Sequence, residues 1–450
     1  MKCKRFVCGI LLWISILASY AQKVDKAGLL SVYDKQFEFL DSLLKQQFAD
    51  PCVPLQDFTT DFNSLSECYA AFEGAVNRKT RANILVIRNQ TGLQWSNNYY
   101  NRIVPYRLYQ LIDDDGDFSM VKVRFQTDLS WDLINCGLLW GKSKIAAHKL
   151  DAEMTLADAK INMQNSYIER LTTENVQRYQ QALALLRSLR LQNLLLLEQT
   201  EAVLFENQQS GTDKLLEIMG EFFSIGQLQS VDSNSFQSLS GLAYQVIDTV
   251  ALNTNLFLEA IRSKNYELVK LDLGFKRIGT QIKQTSFWNS VTLAPFIRFG
   301  VYGMIDNRRQ GSIDMGVNFR MPLSFEQSKS RKALVADQQI LIAKRDLSYH
   351  FFQEEVSRLV QELSQLNKKM VYEHQRIQEM RKLLLSRSEA FRNLYGEYSR
   401  PDRIREYNRY IACLETIVQL KYQRNVILID LQRYLHDEKI SSFINYIQSS

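Results

Sequence analysis

The stretch "SIDMGVNFRMPLSFEQSKSRKAL", Ser312 to Leu334, changes its period partway along. Up to Met321 it alternates. Ile313, Met315, Val317, Phe319 and Met321 are apolar, and Asp314, Gly316, Asn318 and Arg320 between them are not. That is the period of a strand with one greasy face. After Pro322 the alternation gives way to a long charged pattern with helical spacing. The same switch occurs in "VKVRFQTDLSWD", Val121 to Asp132. The chain runs a strand into a long helix twice.

The prolines outline the plan. They are Pro51, Pro54, Pro105, Pro295, Pro322 and Pro401, so the tracts 106–294 and 323–400 contain none, as long uninterrupted helices require. In the second tract Val356, Leu363, Met370, Ile377, Leu384 and Phe391 lie seven apart, with Leu359, Leu366 and Met380 at the partner positions and Glu373 as the exception. This is a coiled-coil pattern. Leu189, Leu196 and Val203 keep the same interval more weakly.

The halves align. Leu129-Ser130-Trp131-Asp132 resembles Leu323-Ser324-Phe325-Glu326 at an offset of 194, and Ser210 to Glu217 resembles Ser399 to Glu406 at 189. The change in offset puts a few extra residues in the first copy, within "INCGLLWG". An internal duplication results, its unit far longer than a solenoid repeat. Each unit reads as a strand, a polar turn, a second strand and a helix of about 69 residues, about 100 Å long. A short Ser/Asp break and a returning helix complete it.

The expected strand pairs are Ile103 to Ile112 with Met120 to Trp131 across "DDDGD", and Val291 to Met304 with Ser312 to Met321 across "DNRRQG". Such two-faced strands match the lipid-out, lumen-in dyad of an outer-membrane barrel. On alternation alone, a soluble sheet with one face on a core fits equally. The surroundings favour the barrel, because the only neighbouring candidates for a core are long helices with polar faces. Four strands do not close a barrel, and open edges are not tolerated in lipid. Two copies would pool eight strands and three would pool twelve, and sequence arithmetic does not choose.

The N-terminus "MKCKRFVCGILLWISILASYAQ" has a basic start, an apolar run and small residues before a cut after Ala21, which reads as a secretory signal. Removing Lys2, Lys4 and Arg5 lowers 55 basic residues to 52 against 49 acidic, a balance of +3 that argues against nucleic acid. Cys52, Cys68, Cys136 and Cys413 then remain, without metal-ligand spacing. Cys52 and Cys68 are near enough in sequence to pair in an oxidising compartment, which spacing alone does not decide. After residue 22 no apolar run is long enough for a membrane helix.

Here the residues reach a known family. A strand followed by Pro322-Leu323-Ser324-Phe325-Glu326 and a long helix resembles the TolC-like outer-membrane factors. The breaks resemble that family's G-x-x-S-x-x-D turn, as Gly396, Ser399 and Asp402, and as Asn207, Ser210 and Asp213. The likeness covers roughly residues 90–436. It implies a mainly α fold with transmembrane β, in which a long coiled-coil helical barrel continues a twelve-stranded β-barrel shared by a homotrimer. It also implies an outer-membrane location with a large periplasmic part, and docking to a periplasmic adaptor and an inner-membrane transporter. The role implied is a passive exit duct for small-molecule efflux or polypeptide secretion. The chain departs from the pattern at Asp128, where the family has proline, in lacking the glycine pair after each strand, and over residues 22–60. The domain plan is a signal at 1–21, an N-terminal periplasmic helical segment at 22–90, repeats at 91–246 and 247–436, and a tail at 437–450. The rival reading is a secreted coiled-coil structural or adaptor protein whose short sheets pack in water.

Ser210-x-x-Asp213 and Ser399-x-x-Asp402 read first as capping boxes, with Thr212 and Pro401 in the first helical turn. In a tunnel these turns become its inner tip, where Ser210, Asp213, Gly396, Ser399 and Asp402 are the candidates for gating and adaptor docking. "DDDGD" lacks the spacing of a calcium loop, and "GLLWGKS" is one residue short of a phosphate loop. His148, His350, His374 and His436 are scattered and have no carboxylate or cysteine at a motif spacing, so no catalytic, cofactor or metal site is expected. Trp131, Trp140, Trp288, Tyr106 and Tyr302 cluster at strand ends, as in interfacial girdles or in buried packing.

Overall fold

The computed structural model describes residues 32, 34–41, 62–90, 94–100, 104–105, 120–131, 139–206, 211–225, 248–285, 292–304, 309–320, 326–393, 400–436 and 438–448. The expected signal peptide, Cys52, Cys136, "DDDGD", Tyr106 and Trp288 lie outside them. In chain order the elements are α1 (34–41), α2 (Phe62–Gln90), β1 (Gln94–Tyr100), β2 (Val104–Pro105), β3 (Met120–Ser130), α3 (Leu139–Glu206) and α4 (Thr212–Ile225). Then come β4 (Asp248–Leu252), α5 (Thr254–Lys264), α6 (Tyr266–Gln284), β5 (Thr292–Met304), β6 (Arg309–Arg320), α7 (Glu326–Asn393), α8 (Arg400–Gln432) and β7 (Ile444–Gln448).

The duplicated plan is plain in the helices. Helices α3 and α7 each run 68 residues, about 100 Å. Both follow a strand, and both are succeeded by a returning helix. The heptad series of α7 is its buried seam: Val356, Leu363, Met370, Ile377 and Leu384 are all in the core, with Leu359 and Leu366 beside them. The same cluster holds Ile404, Ile411, Ile417, Ile427, Leu428 and Leu431 on α8. Leu189 and Leu196 on α3 are buried in the same cluster.

Helix α3 uses two partners in succession. Its first half packs on α6, where Asp151 pairs with Arg277 and Asp158 with Lys270, each at 2.6 Å. Its second half packs on α8. Helix α7 repeats this, with Arg345 to Asp272 of α6 at 2.7 Å, then Met380 against Cys413 of α8. Beside α3, the first half carries α2, where Lys160 lies over the Tyr69 ring, and the second half carries α4, where Arg190 reaches Glu221. The helix layer is therefore a slab, ordered α2–α3–α6–α7 near the sheet and α4–α3–α8–α7 at its inner end.

The two α8 seams differ in degree. Against α7 the contacts are largely apolar, with the rim pair Arg387 to Glu406 and half-buried His374 close to buried Lys421. Against α3 the apolar contacts are interrupted by buried polar pairs. Gln164 Nε2 donates to the Gln432 carbonyl at 2.8 Å, Asn425 Nδ2 to Asn175 Oδ1 at 3.2 Å, and Asn193 Nδ2 to Asn408 Oδ1 at 2.8 Å. Glu201, only 1% exposed, pairs with Arg405. Buried amide pairs fix register because a slip leaves each of them unsatisfied.

Two elements have no counterpart in the sequence pattern. β4 pairs antiparallel with β7, from Asp248↔Gln448 to Leu252↔Ile444, and closes a small sheet halfway along the rods. Asn367 of α7 donates to its Val250 carbonyl at 2.8 Å. The first expected strand also differs. Among the described residues, β3 pairs with Gln94–Tyr100 and with only Val104–Pro105 of the segment expected from Ile103 onward. The strand begins nine residues early and carries a register shift before Val104. The second pair stands as expected, with β6 starting at Arg309.

Truncating Leu363 to Ala is expected to cost about 2–5 kcal/mol, because it removes buried contacts at a seam that cannot collapse locally. Truncating the exposed Gln365 is expected to cost less than about 0.5 kcal/mol. Denaturant unfolding of the detergent-solubilised protein, followed by helical circular dichroism, compares the two.

Candidate functional site

The candidate working surface has two parts, the strand sheet and the inner end of the helix slab. In the sheet the order is β1–β3–β5–β6, every neighbour antiparallel, with β2 also on β3. Side chains at paired positions share a face, so the register sorts the faces row by row. One row is Trp95, Leu129, Ile297 and Met315. The next row on that face is Asn97, Thr127, Phe299 and Ile313, and beyond it lie Tyr99, Phe125, Val301 and Gly311. The alternate rows are Ser96, Asp128, Arg298 and Asp314, then Asn98, Gln126, Gly300 and Ser312.

The first face is apolar and open. Met315 is 72% exposed, and Trp95, Ile313, Val317 and Phe319 are also exposed. Its two polar side chains satisfy one another. Asn97 Oδ1 accepts from Trp95 Nε1 and from Thr127 Oγ1, both at 2.9 Å. A contiguous apolar surface of this size marks contact with lipid or with another apolar surface.

The second face is polar and internally bonded. Arg298 Nε donates to Asp128 Oδ1 at 2.7 Å, and Gln126 Nε2 reaches both Asp128 oxygens at 2.7 Å. Asp128, where the family pattern has proline, is thus the acceptor at the centre of this cluster. Arg298 lies over the Phe296 ring, and that ring covers Gly316. A Cβ at Gly316 would meet the ring at 2.9 Å, which explains glycine at a position the alternation reserves for a polar side chain.

Both layers end in unsatisfied edges. β1 and β6 each pair on one side only among the described strands. In the helix slab, one edge is α2 and α4, exposing Phe72, Leu85, Val86, Leu216, Met219 and Phe223, the last at 81%. The opposite edge is α7, exposing Val335, Ile340, Leu347, Phe351, Tyr372 and Leu383. The heights match. Arg190 touches Glu221 on α4 and Glu415 on α8, and Cys413 touches Met380 on α7. Phe223 and Leu383 therefore stand at about one level on opposite edges.

At the inner end, Asp213 lies in the first turn of α4 and Asp402 in the first turn of α8, both exposed. Thr212 and Pro401 fall in those first turns. Asp402 accepts from Arg405 Nη1 at 3.0 Å. Ser210, Gly396 and Ser399 lie outside the described residues. Behind these turns, α3, α4 and α8 enclose a cavity of about 80 Å³ lined by Arg190, Glu217, Glu221, Arg405, Asn408 and Arg409 among others. Burial pushes the Glu415 carboxyl above its ordinary range, with Arg190 and Arg187 pulling it back. Burial likewise raises Glu198.

The remaining sequence candidates are ordinary structural residues. Ser143, at the end of "GLLWGKS", sits in the first turns of α3 and donates to the Thr280 carbonyl. His148 and His350 lie on long helices, and burial then Lys421 lower His374. His436 sits edge-on to Tyr266 at 5.4 Å. Trp131 is exposed at the end of β3, and its backbone N–H donates to the Pro295 carbonyl at 3.1 Å. Cys68 is an exposed free thiol and Cys413 a buried one. Among the described residues, no helix is long and apolar enough to cross a membrane, and no group of three or more His, Cys, Asp or Glu is placed to hold a metal ion.

No family model and no curated protein matches the chain by sequence. Solved structures match it by shape. The Campylobacter jejuni CmeC outer membrane channel aligns with a TM-score of 0.56 at 11% identity, covering 86% of this chain and 89% of that one. CusC, studied for conformational changes accompanying folding and transmembrane channel formation, aligns at 0.53 and 13% identity, covering 87% and 93%. The Vibrio cholerae outer membrane protein VceC aligns at 0.51 and 13%, covering 83% and 96%. The fold is that of the TolC-like outer-membrane channels, as the strand-to-rod motif implied.

Two outcomes follow from this geometry. Met315→Lys on the apolar face is expected to abolish stable membrane insertion, at about 2–4 kcal/mol per buried cation, whereas Asn318→Lys on the polar face is tolerated. Membrane fractionation of the two variants reads this. At Glu415 the folded carboxyl keeps its proton to a higher pH than the unfolded chain does. Native stability should therefore fall as pH rises from about 4.5 through the raised value. Glu415→Gln is expected to flatten that slope in unfolding measurements across the interval.

Proposed function

We propose that the chain is one subunit of an outer-membrane exit duct, three copies of which close a twelve-stranded barrel and a helical tunnel. The observation that carries this reading is the sheet. It has an apolar face, a polar face and two unpaired edges, which is the arrangement of one sector of a transmembrane barrel. Antiparallel order supports closure. β1 and β6 run in opposite directions, so β6 of one copy meets β1 of the next in the pairing used throughout the sheet. The helix slab supports it independently, since its α2/α4 edge and its α7 edge are both apolar at matching heights.

Lipid of the outer membrane then covers Trp95, Phe299, Met315 and Phe319, and the Asp128–Arg298 face lines water. The rods extend the wall through the periplasm. Asp213 and Asp402 ring the inner mouth, with Ser210, Gly396 and Ser399 close to them in sequence, and there a periplasmic adaptor docks and links the duct to an inner-membrane transporter. The duct is passive, and the transporter supplies the driving force. Small molecules or polypeptides are its cargo.

Cysteines at Phe223 and Leu383 should cross-link neighbouring copies and give a ladder ending at the trimer. The same preparation should form ion-conducting pores in planar bilayers. A water-soluble coiled-coil protein gives neither. A ladder without conductance would keep the oligomer and reject the duct.

A further inference from the structure

The cavity enclosed by α3, α4 and α8 has walls of opposite charge. Glu217 and Glu221 stand one turn apart on α4, and Arg405 and Arg409 one turn apart on α8. Like charges at that spacing repel along each helix. Pairing across the gap is incomplete. Arg405 is engaged by Glu201 and Asp402 instead. Among the described residues, neither Arg409 nor Glu217 has an ion-pair partner. Arg190 on α3 reaches Glu221 and Glu415 at 3.5 Å each, longer than a charge-assisted hydrogen bond, and its Nε is buried without an acceptor.

The floor of the cavity is apolar. Leu194 and Leu197 are each 1% exposed and Ile218 5%. One polar group interrupts it. Asn408 is 4% exposed, its Oδ1 accepts from Asn193, and its Nδ2 is buried with no partner. A buried N–H left open in this way costs free energy until something accepts from it. The space, about 80 Å³, exceeds the share of one water in the liquid, about 30 Å³. Waters satisfy Asn408 but leave both charged walls as they are. An anion suits the arginines and repels Glu217 and Glu221, and a cation does the reverse. A molecule with both charges a few bonds apart suits both walls.

We propose that this cavity binds a small zwitterion of the α-amino-acid type. Its carboxylate accepts from Asn408 Nδ2, Arg190 and Arg409, and its ammonium donates to Glu217 and Glu221. A short aliphatic side chain lies on Leu194, Leu197 and Ile218. Bound there, the zwitterion joins α4, which packs chiefly on α3, to α8. The site does not depend on the function proposed above.

The test uses the full chain, solubilised in detergent, with L-alanine as the probe. Acetate and ethylammonium chloride, each carrying one of the two charges, are the controls at matched ionic strength. Alanine is expected to raise the thermal unfolding midpoint saturably, and the controls are not. Hydrogen exchange over 212–225 is expected to slow several-fold with alanine bound. Glu217→Gln and Arg409→Gln change exposed side chains, so neither strips the core. Each is expected to weaken alanine binding about tenfold, the loss of one hydrogen bond to a charged group. No saturable shift up to about 0.1 M alanine, enough to fill a site of millimolar affinity, overturns the proposal. An equal shift with acetate alone makes the cavity an anion site and overturns it too. Alanine binding undiminished in both variants places the ligand elsewhere and overturns the assignment.

Discussion

Backbone hydrogen bonding at the two edges of the strand sheet constrains everything else in this molecule. On the proposed reading the exposed face of Trp95, Phe299, Ile313 and Met315 lies against hydrocarbon, and hydrocarbon offers no partner to an unpaired N–H or C=O. β1 and β6 each present such a row. The chain therefore cannot meet lipid alone. Its strands are antiparallel from end to end, and identical copies can continue the same pairing around a closed wall.

The helices carry that constraint inward. A wall of strands must be followed by a wall of rods with the same subunit spacing, and α3 and α7 supply two equal rods per chain. Helical stability in a folded protein comes mostly from tertiary packing, and each rod is lined along its side by two shorter helices in turn, α6 then α8. This division gives the slab different chemistry along its length. Near the sheet, ion pairs such as Asp158 to Lys270 sit at half-exposed positions and contribute little each. Toward the inner end the pairs are buried, as at Asn193 to Asn408 and Glu201 to Arg405, and their effect is on register more than on net stability.

Much of this was legible in the residues. The alternation from Ile313 to Phe319 identified the face that the register confirms, because the strand is unbulged there. The heptads from Val356 to Leu384 marked the seam, since its partner α8 offers an apolar face over the same span. β1 was hidden because Asn97 breaks its apolar alternation, and only the pairing with β3 reveals that Trp95 and Thr127 satisfy that amide. β4 and β7 are five residues each and meet across nearly the whole second half of the chain, which no local pattern announces. Buried Gln164, Asn175 and Asn193 look like a solvated helix face until α8 is laid against them. α1 is short and charged, and its burial depends on Arg403, far away in sequence. Of the inner-turn candidates, Asp213 and Asp402 are placed at exposed first turns, as capping alone would also place them.

The account stands or falls on lateral closure between copies in a bilayer. Native mass determination of the processed protein extracted from outer membranes measures it directly. Three chains per detergent-bound particle is the expected result. A single chain that remains in solution without detergent would contradict it.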